Sequence, residues 1–134
     1  GLLQNTEITE RLYLMYTVKS LRNACAHNNC IINDINSTHN KSINADLSRE
    51  CAKFIKSPSS RRRHLRHIST YQILTTMYAH QRICISTGVH NHICGELDEL
   101  KQRFFRDNDY RLHDNIKATF DVLIRAIDTW FHIR

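Results

Sequence analysis

Residues 109 to 132 read DYRLHDNIKATFDVLIRAIDTWFH, and this stretch decides the fold class. Ile116, Phe120, Leu123, Ile127 and Trp130 recur in steps of four, three, four and three. That spacing returns side chains to one face of an α-helix, because the helix turns once in 3.6 residues. A helix over about 109–132 with one apolar stripe is therefore expected, with Trp130 in the packing.

Upstream stretches carry the same period. Ile93, Leu97, Leu100 and Phe104 predict a helix over about 90–106, and Ile68, Tyr71, Leu74 and Tyr78 one over about 65–86, stopped by Gly88. A short helix over about 46–56 would pack Leu47, Cys51 and Phe54 or Ile55. Ser57-Pro58-Ser59-Ser60 breaks the chain, and 57–63 reads as a basic linker. Six asparagines, with Asp34, Ser37, Thr38 and Ser42, make 28–45 a polar loop, since such side chains compete for backbone hydrogen bonds.

The first helix is expected over about 6–27, with Thr6 as N-cap and Glu7 in its first turn. It has two apolar stripes. Leu14, Val18, Leu21 and Cys25 lie along one side; Ile8, Leu12 and Tyr16 lie along another, which Asn23 and His27 continue. A helix apolar on two sides calls for two partners, one of them a second copy of the chain. The expectation is an all-α bundle of about four to five helices in one domain spanning 1–134.

Composition supports this. Three glycines and one proline in 134 residues leave little turn punctuation. No run of about eighteen apolar residues occurs, so a membrane-spanning helix is not expected, and no charged-then-apolar leader is seen. Five cysteines without a C-x-x-C pair fit reduced thiols in a cytoplasm better than a disulfide framework. The net charge of +6 favours an anionic partner such as nucleic acid.

The stretch with chemical content is LRNACAHNNCIIND, residues 21 to 34. Arg22 and His27 stand five apart, so on an ideal helix their side chains diverge by roughly 140°. The reach of arginine and a loosening helix end offset that divergence. Asn23 and His27, four apart, share a face on which the amide could orient the imidazole. RNA cleavage by its own 2′-hydroxyl needs such a set: a group titrating near neutrality and a guanidinium for the phosphate. By spacing alone, a structural reading stands beside it, with Arg22 paired to an acid and His27 ending the helix at its negative pole.

The wording around the pair adds to this. LRNACAH, with its lead-in YLMYTVKSLRN and its Asn-containing continuation, resembles the motif of the Abi-like (abortive infection) proteins of bacteria, within the HEPN superfamily. The resemblance is closest over about residues 10 to 35. It implies an all-α HEPN-like bundle and a metal-independent endoribonuclease with Arg22, Asn23 and His27 at its site. It also implies a homodimer with motif helices facing each other, and no cofactor. Where that family often has a second histidine and then a basic residue, this chain has Asn28 and Cys30. Abi-like chains are usually longer, so this one corresponds to the C-terminal portion of such a protein or to a short member.

SSRRRHLRH, residues 59 to 67, is the densest positive cluster, and Arg61, Arg62, Arg63 and Arg66 are candidate RNA contacts. The other reading is a solvated basic loop. His90, His92 and Cys94, or Cys25, His27 and Cys30, match no zinc spacing, so no metal site is expected, and Cys25 and Cys94 read as core residues. Tyr16 either packs in the core or lines a cleft and stacks a base. No glycine-rich phosphate loop or nucleophile elbow is present.

Overall fold

A computed structural model describes residues 2–27, 36–106 and 114–134. Among the described residues, six helices run in the order α1 (Leu2–Ala26), α2 (Ala45–Cys51), α3 (Pro58–Arg66), α4 (Ile68–Ile83), α5 (Thr87–Arg106) and α6 (Asp114–Trp130). No strand occurs among the described residues, only an isolated bridge between Thr38 and His67. The protein is an all-α bundle, as the periodicity predicts.

Helix α4 is the hub, packed by α1, α3 and α6, while α2 rests on α3 and α5 on α6. Leu74 of α4 is wholly buried, and α6 faces it with the expected stripe of Phe120, Leu123, Ile127 and Trp130. Trp130 meets Phe54 edge-on with ring centres 5.2 Å apart, and Phe104 of α5 stacks on Phe120 at 4.3 Å. Leu47 and Cys51 of α2 complete this floor. Burial pushes the Cys51 thiol up to about 12, outweighing the opposite pull of the nearby Arg61 guanidinium.

Several boundaries differ from expectation, each for a local reason. The stretch 57–63 is no linker. Ser57 caps α3, its hydroxyl accepting from the Ser60 amide, and Pro58 at the first helical position carries the φ that a helix start requires. Helix 65–86 is broken at His67, where the chain turns extended. The segment 37–39 supplies partners for that break: Ile68 N–H donates to Ser37 O, and His39 N–H to Arg66 O. Gly88 is not a stop but lies in the first turn of α5, because the Ser86 hydroxyl accepts from Val89 N–H and starts the helix there. Helix α1 begins at Leu2, so Thr6 is interior rather than a cap. The polar loop is described only from residue 36; Asn28, Cys30 and the rest of 28–35 lie outside the described residues.

The two stripes of α1 have different fates. Leu14, Val18 and Leu21 are half-buried toward α4, whereas Ile8, Leu12, Met15 and Tyr16 stay exposed. Cys25, expected in the core, is also exposed, since α1 reaches past its cover there.

Candidate nucleic-acid interface

The motif residues occupy the C-terminal end of α1. Leu21, Asn23 and Ala24 are half-buried, and Arg22 and His27 are exposed. Arg22 Nη1 donates to Asn23 Oδ1 across 3.1 Å, so the amide oxygen is engaged by the guanidinium. His27 continues the helical ladder by one bond, its N–H donating to Asn23 O at 3.1 Å, and no ion pair involves either Arg22 or His27 among the described residues. The guanidinium and the amide thus meet near the end of α1, and His27 follows one turn beyond Asn23. That end concentrates the partial negative charge of its last carbonyls, which favours cationic side chains.

The four arginines of α3 divide into two kinds. Arg61 is half-buried and donates to Ile55 O at 2.9 Å, which ties α3 to the chain entering it. Arg62, Arg63 and Arg66 are exposed, and none forms an ion pair among the described residues. Because α3 starts at Pro58, Arg63 and Arg66 fall in its last turn, where positive charge is favourable rather than at the N-terminus, where it would not be. The positive field shows at His64, whose imidazole is held below its usual range by burial and then by Arg63, His67 and Arg125. A basic face without ion pairs among the described residues is suited to a polyanion.

A third feature escapes sequence reading. Between α1, the segment 39–44 and the start of α4 lies a cleft of about 570 Å³, walled by Tyr13, Tyr16, His39 and Tyr71 with Lys41 and Gln72 at its edge. Tyr71 reads from the sequence only as a core position, and Tyr13 falls on neither apolar stripe. The cleft joins residues more than twenty positions apart in the sequence, so no local pattern marks it. Tyr16 is exposed rather than in the core, and lines this cleft.

Among the described residues, no group of three or more His, Cys, Asp or Glu side chains is placed to hold a metal ion. His90 and Cys94 are instead buried together, the imidazole Nε2 donating to His132 O at 2.7 Å. No helix of the described residues is long and apolar enough to cross a membrane. Compared with family models, curated proteins and solved structures, the chain matches none of them.

Proposed function

We propose that this chain is a metal-independent endoribonuclease of the HEPN type, similar to the Abi-like proteins and acting in the cytoplasm in bacterial abortive-infection defence. One observation carries the reading. Arg22 and His27 are exposed near the end of α1 with Asn23 half-buried between them, and neither Arg22 nor His27 is engaged in an ion pair among the described residues. A histidine kept for packing belongs in the interior, as His90 is.

In this mechanism Arg22 holds the scissile phosphate and offsets the charge that grows on its oxygens. His27 takes the proton from the 2′-hydroxyl or gives one to the leaving 5′-oxygen. The O2′–P bond forms as the P–O5′ bond breaks, leaving a 2′,3′-cyclic phosphate and a 5′-hydroxyl. One imidazole does not perform both transfers at once. A second copy docked on the exposed Ile8, Leu12 and Met15 face of α1 would bring a second histidine, making the homodimer part of the proposal. Arg62, Arg63 and Arg66 would hold the flanking phosphates, with Arg61 fixing the helix that carries them.

The test is cleavage of single-stranded RNA by the purified protein in EDTA. His27→Ala is expected to abolish cutting at unchanged thermal stability, and equal cutting by the variant sinks the mechanism. The other reading is a helical module that binds RNA or a protein without cleaving, and the unpaired arginines of α3 favour its RNA form. It predicts RNA binding with no cleavage by either protein.

A further inference from the structure

The cleft beside the motif helix has features that RNA cleavage at His27 does not use. Tyr13 and Tyr16 are 68% and 63% exposed, so two aromatic faces stand open to solvent on its rim. On the opposite wall Tyr71 is half-buried, backed by the His39 ring at 4.9 Å. His39 Nε2 donates to Leu65 O at 2.8 Å, which fixes the ring behind Tyr71. Lys41 and Glu10 both line the same cleft and are exposed, and Lys41 forms no ion pair among the described residues.

These groups select a ligand by chemistry. Open tyrosine faces call for a planar ring, because stacking pairs one π-face with another. A lysine on the lining without an ion pair among the described residues calls for an attached anion. A nucleobase with its phosphate combines the two. We infer that the cleft seats one unpaired base of single-stranded RNA, stacked by Tyr13 and Tyr16 and held by its phosphate at Lys41.

The inference rests on the RNA reading above, and the geometry of α1 joins the two sites. Asn23 and His27 lie seven and eleven residues beyond Tyr16, so each falls within about 20° of it around the helix axis. Along that axis they are about 10.5 and 16.5 Å away. At about 3.4 Å per stacked nucleotide on one strand, those distances span three to five nucleotides. A strand anchored in the cleft therefore runs along the open side of α1 to the motif, and the cleft selects which bond is presented there.

Binding, not cleavage, tests this, with His27→Ala protein as the parent so that RNA stays intact. Its affinity for a labelled single-stranded RNA of about ten nucleotides is read by fluorescence anisotropy, beside a fully abasic strand and free AMP and UMP. Tyr13 and Tyr16 are exposed, so Tyr13→Leu and Tyr16→Leu leave the core intact, checked by the emission of the buried Trp130. Each is expected to weaken RNA binding about tenfold, from the loss of one stacking partner, while leaving the abasic strand unaffected. Arg62→Ala should weaken both strands alike. RNA affinity unchanged in both tyrosine variants but lowered by Arg62→Ala overturns the cleft and leaves the RNA reading standing. Mononucleotide binding that is lost in Tyr16→Leu, without RNA binding, upholds the base-and-phosphate chemistry and overturns RNA as its source. Binding of neither probe overturns both.

Discussion

At the scale of single residues, the titratable groups that packing has enclosed make a prediction independent of function. His80 of α4 sits between the His90 ring of α5, stacked at 5.6 Å, and Phe131, stacked at 5.5 Å. Arg134 lies close by, hydrogen-bonded to Cys84 O and Asn91. Burial first, then the proximity of His90 and Arg134, lowers the His80 pKa from 6.5. The folded protein then resists a proton that the unfolded chain accepts. This stability is fully present above 6.5 and is lost as pH falls from 6.5 toward the lower folded value. His64, lowered for the same primary reason, adds a loss of the same sign. Replacing His80 by Phe keeps a ring in the stack and removes the titration. The melting temperature of His80→Phe should therefore fall less than that of the unaltered protein between about pH 7 and pH 5. Parallel curves for the two proteins would show that His80 is not the group responsible.

At the scale of elements, a helix end is decided by one or two hydrogen bonds, and those can be removed singly. Asn44 Oδ1 accepts from Leu47 N–H at 3.0 Å and starts α2, only seven residues long, which carries the wholly buried Leu47 and Cys51. A helix this short has little propensity to spare, so its cap supports the core directly. Asn44→Ala is expected to cost about 1 kcal/mol, read as a lower urea midpoint. Ser57→Ala at α3 should cost less, because that bond is longer, 3.4 Å, and exposed. An unchanged midpoint for Asn44→Ala would show that α2 is held by packing alone. The same scale explains what the sequence could reveal. Helices α4, α5 and α6 announce themselves because four or five apolar residues repeat at the helical period. Helix α3 does not, for among its nine residues only Leu65 is a large apolar one, and Ser57-Pro58 serves equally as a turn signal or a helix start. The break at His67 was illegible for another reason: its partners are Ser37 and His39, some thirty residues away. The i,i+4 spacing of Asn23 and His27 is legible in the sequence, whereas the bond that Arg22 makes to the Asn23 amide is not. The aromatic cleft could not, because it exists only once α1 meets α4 and the segment 39–44.

At the scale of the whole molecule, the question is what covers the open side of α1. Ile8, Leu12 and Met15 are each about half exposed or more, on a helix whose opposite stripe already packs on α4. Successive exposed aliphatic residues along one helix face make a contiguous apolar strip, and such strips on soluble proteins mark contact surfaces. Arg22 continues that strip toward the helix end, so a second copy docked there would set two motifs near each other. An isologous contact of this kind uses the same patch on both copies, which requires the strip to be self-complementary and tolerant of the net charge. The chain carries +6, and Lys19 and Arg22, both exposed, lie in register with the strip. Repulsion between copies is therefore largest where these cations approach, and is screened beyond about 10 Å at 0.1 M salt. Light scattering coupled to size exclusion should give twice 15.8 kDa for the unaltered protein. Leu12→Glu with Met15→Glu should give a folded monomer, since both positions are exposed and neither supports the core. If cleavage needs two histidines, the monomeric variant loses cutting while retaining RNA binding through Arg62, Arg63 and Arg66. A protein that runs at 15.8 kDa at every concentration and still cuts RNA would overturn the two-copy site and leave one imidazole to act alone.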